Sequence, residues 1–394
     1  MNYSMKLCAA ALAGCMSFGA QAEEPFKIGF IGSLSGPLAT LSLDIKDGFD
    51  LAVKQKEGRL GGVDTVVLHG DDQSNPDVGK QVYERFSKSE NVDVITGMAF
   101  SNVMLALAPA AFNDKIFFIN ANAGPKDLAG AGCNYYYFNP TWHTSALSEA
   151  AGTYAKQHGY KRAFLISPNY AVAREHLDGF ESEYQGEIAG RALAKINQLD
   201  FSVEIGQLRA ANPDVVFMAL WGPMAVNFLK QLHQTGLNKK IDVIAPGFAV
   251  DEDSLAALGD AALGIYNTSQ WSADLDNASN QKFVADFQQT YKRPASIYAA
   301  QGYEVGLLLD AAIRDAGGKH KEDAALHGAL MKADFDSIRG YFQFAPNQNV
   351  SQHIYLRQVV KDESGKLMNR LASSEPVHRD QTDPYGAECK IATP

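Results

Sequence analysis

Four cysteines in 394 residues, none in a C-x-x-C pair, give this chain no redox or zinc motif. It has no H-E-x-x-H and no G-x-x-x-x-G-K-[ST], and its nine histidines include no pair at helical ligand spacing. Neither a metal centre nor a phosphate-cradling loop is expected. Basic residues form no stripe in a chain of net charge −10, which argues against nucleic acid as a partner. Beyond the first 22 residues there is no apolar run of bilayer length. Gly29, Gly32 and Gly36 lie three and four apart, so with Asp71 and Asp72 they do not complete a dinucleotide fingerprint. Gly32-Ser33-Leu34-Ser35-Gly36 carries leucine where a nucleophile elbow needs serine. No cofactor and no catalysis are expected. An exported hydrolase remains the alternative, because triads assemble in space.

What is present begins with an export signal. Residues 1–22 read as a signal peptide: Lys6, an apolar and small-residue run from Leu7 to Phe18, then Ala20-Gln21-Ala22. Leu12-Ala13-Gly14-Cys15 also resembles a lipobox that would leave a lipidated Cys15, but the apolar stretch before it is very short. Cleavage after Ala22 and a periplasmic location are therefore expected. Cys8 and Cys15 leave with the leader, and Cys133 and Cys389 remain as an expected disulfide in an oxidising compartment.

The rest is organised around Lys27–Val53. Ile28–Ile31 is a strand core, Gly32 to Pro37 a turn-rich loop, and Ser42 a candidate N-cap before helically spaced Ile45, Phe49, Ala52 and Val53. Strands over Thr65–His69, Val92–Thr96 and Ile116–Asn120 alternate with helices opened by Asn75-Pro76 and Asn102. The alternation restarts near Trp142, with strands Ala163–Ser167, Val215–Leu220 and Asp242–Ala245. From Asn280 helices dominate, before strands Gly340–Phe344 and His353–Lys361. The fold class is α/β with doubly wound parallel sheets, whose ligands bind at the carboxyl ends of the strands.

Four sets of loops fall at those ends. The first is Ser33–Ser42, containing Leu41. The second, Gly97 to Asn102, runs through Phe100 and Ser101 into a helix whose first amides would suit an anion, while Ser101 would equally serve as a plain cap. The third, Asn120 to Pro125, is small-residue backbone around Ala121, Asn122 and Ala123, and reads evenly as a ligand loop or an ordinary one. The fourth set carries Asn169-Tyr170, Trp221-Gly222-Pro223 and Gly247-Phe248, where the aromatics suit either a cleft or a core. Trp142-His143, at the boundary, could face either way.

GFIGSLSGPLA, HGDDQSNP, VITGMAFSN, FINANAGPKDLA, NPDVVFMALWGP and GLNKKIDVIAPG, in this order across Lys27 to Lys361, resemble the periplasmic leucine/isoleucine/valine-type solute-binding proteins of ABC importers. The resemblance implies a type I periplasmic binding fold: two lobes, joined by three crossovers, that close on a solute and present it to a membrane permease. It implies an N-terminal lobe of 26–141 plus 270–345, a C-terminal lobe of 142–269 plus 346–394, and a monomer. Carried over by position, Ser101 and its neighbour Asn102 sit where the ligand carboxylate is held. Ala121 and Ala123 fall in the loop that meets carboxylate and amine, and Trp221 closes over the ligand. The chain departs from the pattern at Ala123, where the family has threonine, and at Leu41 and Val172, where it has tyrosine. At Gly247-Phe248 the ammonium-pairing acid is missing, with no carboxylate before Asp251. A buried ammonium without a partner costs several kcal/mol. A small carboxylate is expected, an aromatic acid such as a benzoate or hydroxycinnamate, with NANAGPKDLAGAGC and SPNY resembling that subgroup. A branched-chain or related amino acid is the alternative.

Overall fold

The computed structural model describes residues 24–36, 39–169 and 171–391; the expected signal peptide with Cys15, and Tyr170, lie outside them. The first series runs β1 (Phe26–Gly32), α1 (Ala39–Gln55), β2 (Thr65–Asp71), α2 (Pro76–Glu84), β3 (Val94–Gly97), α3 (Ser101–Asn113), β4 (Phe117–Asn120), α4 (Lys126–Ala129) and β5 (Tyr137–Phe138). The second runs α5 (Ala146–His158), β6 (Arg162–Pro168), α6 (Ala171–Tyr184), β7 (Glu187–Ala194), α7 (Ser202–Ala211), β8 (Val215–Met218), α8 (Gly222–Gln234), β9 (Asp242–Pro246), α9 (Glu252–Leu258) and β10 (Tyr266–Ser269). Helices α10 (Ala278–Tyr291), α11 (Ile297–Asp315) and α12 (Asp323–Lys332) follow, then β11 (Phe342–Phe344), β12 (Val350–Lys361), β13 (Leu367–Leu371) and β14 (His378–Gln381).

The first sheet has the order β2-β1-β3-β4-β5, all parallel. The second repeats that order as β7-β6-β8-β9-β10, then adds β12 antiparallel to β10, with β11, β13 and β14 paired to β12. Each sheet therefore has a switch point, at β1/β3 and at β6/β8, where the loops diverge and leave a crevice. The chain goes from the first sheet to the second after β5, back with α10 and α11, and returns through β11. Helix α11 lies on α1 because glycines let the backbones meet. A Cβ on Gly48 would stand 1.9 Å from the Ala299 oxygen, and one on Gly302 1.9 Å from the Ile45 oxygen.

Three local expectations are corrected. Ser42 is not an N-cap: α1 starts earlier, at Ala39, and the Ser42 hydroxyl accepts from the Ser33 amide at 3.2 Å. Strands β7 and β10 and helices α7 and α9 lie where no element was expected. The stretch after Lys361, where no element was expected either, holds β13 and β14.

That last segment is anchored at both ends. β14 pairs with β12, and Asn347 donates from Nδ2 to Asp383 at 2.8 Å and to the Ala129 oxygen at 2.9 Å. Cys389 is disulfide-bonded to Cys133, 256 residues away in sequence. A link closing so long a loop removes much freedom from the unfolded chain. Cys389→Ser is accordingly expected to lower the unfolding free energy by about 2–4 kcal/mol. A denaturant melt identical to the parent's would contradict this.

Candidate functional site

On the first sheet the site starts with strained backbone. Gly97 has φ +107, and a Cβ there would stand 2.1 Å from the Ile31 oxygen; Met98 follows at φ +39. Its amide donates to that same oxygen at 2.7 Å, so the chain folds tightly over the tip of β1. Non-glycine residues at positive φ gather at functional turns. The turn throws Phe100 into the N-cap position of α3, where it has no side-chain acceptor to offer. Ser101 is thus the first helical residue and not the cap. Among the described residues, no acceptor meets the Ser101, Asn102 and Val103 amides. A helix start left open in this way, with its positive dipole end, suits an anion.

The third loop is fastened beside it. Asn120 donates from Nδ2 to Asn139 Oδ1 and Thr141 Oγ1, both at 2.8 Å, and accepts from the Asn122 amide at 2.9 Å. Asn122 Nδ2 donates to the Ala99 oxygen at 2.7 Å, which fixes the amide's orientation, since a carbonyl accepts only from the NH₂ end. Its Oδ1 is buried without a partner. Thr144 donates from N and Oγ1 to the Gly124 oxygen at 3.2 and 2.8 Å, bolting the loop to the first crossing. Ala121 and Ala123 are buried in it. Asn122 thus ties the third loop to the second at Ala99, two residues before Ser101, while Ala121 and Ala123 pack into the cores on opposite sides of the sheet.

Asp71 and Asp72 are occupied by the first loop. Ser35 and Ser33 donate to them at 2.5 Å each, and Leu34 N donates to Asp71 at 2.9 Å. Leu41, Phe100 and Phe248 pack, half-buried, on the core that includes Ala99 and Ala121. Phe248 also packs on the second-sheet core, so it spans the two. Its ring stands 6.3 Å from Trp221, edge to face, and 5.1 Å from His176. Trp221 is the N-cap of α8 and half-buried. At the boundary, Trp142 is buried in the first core and His143 pairs with Glu149 at 3.3 Å.

His176 was not singled out in the sequence. It is buried, with Nδ1 3.0 Å from Ser148 Oγ, and burial pushes its pKa down to about 4 from 6.5. The unfolded chain takes a proton on this ring below pH 6.5, and the folded one only near 4. Its contribution is complete above 6.5 and is lost as the pH falls through that window, up to about 3 kcal/mol. His176→Gln should lose this slope, so the difference between variant and parent unfolding free energies should change as the pH falls from 6.5 to 4. Parallel pH profiles would refute it.

Asp251 and Glu175 reach across from the second sheet. Asp251 accepts from the Ile297 amide at 2.9 Å and lies 3.6 Å from Arg357, with both side chains fully buried. Burial, with Glu252 beside it, pushes the Asp251 carboxyl well above its ordinary range, against the pull of Arg357. Glu175 stands 4.0 Å from Lys126 Nζ, and its Oε2 is buried without a hydrogen-bond partner among the described residues.

Two sheets wound alike over one crevice, joined by three crossings, define a two-lobed solute receptor of type I periplasmic binding architecture. The chain belongs to the periplasmic binding protein family, whose pattern matches residues 25–365, and is a solute-binding protein of an ABC transporter. It is 25% identical, over 93% of its length and 96% of the relative's, to Leu/Ile/Val-binding protein homolog 6 of Brucella melitensis. An ABC transporter substrate-binding protein from Sphaerobacter thermophilus matches with TM-score 0.87 and 27% identity, over 91% of this chain and 99% of that one. A solute-binding protein from R. palustris in complex with benzoate matches with TM-score 0.81 and 30% identity, over 91% and 98%. No helix among the described residues is long and apolar enough to cross a membrane.

Proposed function

We propose that this receptor binds a small aromatic carboxylate, of the benzoate or hydroxycinnamate kind, between lobes divided at 141/142, 269/270 and 345/346. The observation that carries the reading is the open helix start at Ser101. The amides of Ser101, Asn102 and Val103, with the Ser101 hydroxyl, hold the anion, while Ala121 and Ala123 let it approach the backbone. Phe100, Trp221 and Phe248 supply faces and edges for a ring, and Leu41 an apolar wall. Asp251 is spent on the Ile297 amide and Arg357, and an α-ammonium would have to compete with Lys126 for Glu175. The benzoate complex of the R. palustris protein supports this ligand class; the naming of the Brucella relatives favours a branched-chain amino acid instead.

A thermal-shift panel separates the two. A ligand at 100 times its Kd stabilises the folded form by about 2.7 kcal/mol. Benzoate, 4-hydroxybenzoate and 4-hydroxycinnamate should raise the melting point, and leucine, isoleucine and valine should not. Stabilisation by the amino acids alone would overturn the proposal.

A further inference from the structure

Three backbone crossings join the two sheets, and the carboxyl-terminal tail makes a further connection of a different kind. It starts on the second sheet. β14 pairs with β12, the Val377 amide donates to the Ile354 oxygen at 2.7 Å, and His378 Nε2 lies 2.7 Å from Thr153 Oγ1 of α5. Helix α5 in turn packs on β9, β10 and β12. The tail ends on the side of the first sheet, at Cys133, which stands between α4 and β5. Strand β5 pairs with β4, so this end belongs to the first sheet.

Between these ends the tail lies across the rim of the crevice. Helix α4 follows the third loop and α6 follows β6, so both stand at the carboxyl ends of their sheets. Lys126 of α4 and Glu175 of α6 face each other there at 4.0 Å. The tail touches the same rim. A Cβ on Gly130, the residue that ends α4, would stand 3.4 Å from the Tyr385 Cβ and 3.1 Å from Glu388 Oε2. Burial pushes the Tyr385 phenol pKa up and Glu175 adds to it, which sets this ring beside α6 as well. Asp383 shapes the bend before it, accepting from Asn347 Nδ2 at 2.8 Å and from the Tyr385 amide at 2.9 Å.

We infer that the segment from Asp383 to Cys389 is a strap that sets how far the crevice opens. Opening and closing of two lobes is a hinge motion absorbed by a few backbone dihedrals in the crossings. Those crossings bend until something stops them, and a covalent link from rim to rim is such a stop. Gly386–Glu388 is coiled in a 3-10 turn, and straightening it would lengthen the strap by about 4 Å. Beyond that the disulfide holds the rims. A receptor kept from opening wide has less freedom to lose when it closes on a solute, so the strap also favours binding. The inference rests on the two-sheet architecture and on no particular ligand.

The test measures the distance between the lobes in the purified, ligand-free protein by double electron–electron resonance. Nitroxides are attached through p-acetylphenylalanine, which spares the cysteines, at exposed Leu43 of α1 and Val203 of α7. Two variants release the strap in different ways. Cys133→Ser/Cys389→Ser removes the link, while six Gly-Ser residues inserted between Gly386 and Ala387 lengthen it and keep the disulfide. Both are expected to extend the label-to-label distance distribution by 5 Å or more on its long side. An unchanged distribution in either folded variant would overturn the inference. In particular, widening on loss of the cysteines alone would show a staple for the tail and no strap. Should the serine variant unfold, the lengthened strap decides by itself. No ligand enters the measurement, so failure of the aromatic panel leaves it readable.

Discussion

Replacing Ser101 with aspartate is expected to weaken binding of benzoate-type ligands at least a hundredfold without lowering the melting point. The position is the first residue of α3, whose N-cap, Phe100, has no acceptor. A carboxylate there supplies what the helix lacks, and charges in the first turn are worth about 0.3–1 kcal/mol in the stabilising direction. The same carboxylate occupies the amides proposed for the ligand and sets a like charge against it. Two such charges about 4 Å apart cost about 4 kcal/mol near a protein surface, while a hundredfold loss needs only about 2.7 kcal/mol. Ser101→Ala should do less, about tenfold or somewhat more, because it removes a single donor to a charged acceptor. Calorimetric titration with benzoate and a melt of each variant decide the matter. An aspartate variant that binds like the parent would place the anion elsewhere.

The largest stability effect is expected at Arg339. Its side chain is buried and donates to the Pro140 oxygen at 2.6 Å, the Thr141 oxygen at 3.1 Å and Gln352 Oε1 at 2.5 Å. It is ion-paired with Glu304 of α11, which also accepts from Ser337. One guanidinium thus joins the first crossing, the last return and the helix between them. Arg339→Met leaves Glu304 as a buried charge without a partner and should cost about 3–5 kcal/mol in urea denaturation. Most of that cost is the orphaned carboxylate, so Arg339→Met/Glu304→Leu should be more stable than the single variant. A double variant no better than the single would show instead that the lost carbonyl contacts dominate.

Elements whose apolar residues repeat regularly were legible from order alone. Strand β1, and the helices expected after Asn280, stand where the sequence places them, because the residues that bury themselves also define the period. Strand β7 was not legible, since as an outer strand it keeps much of EIAGRALA in water and loses the buried run. Strand β10 reads as polar, YNTS, yet is mostly buried, because Asn267 accepts from Arg357 at 2.8 Å and donates to Asn369 at 2.7 Å, and Thr268 donates to the Leu147 oxygen at 2.6 Å. Those partners are 90, 102 and 121 residues distant.

By itself the sequence determined the family, the paired α/β series and the loops at the strand ends, since these follow from local pattern and ordered motifs. Only the tertiary structure decided that Phe100 and not Ser101 takes the cap, leaving a helix start open, because that depends on where Gly97 and Met98 can turn over β1. It alone decided that Asp251 serves α11 and Arg357, and that the tail crosses from β14 to the rim at Gly130. Whether a side chain is free or spent is set by neighbours the chain brings near only when it folds.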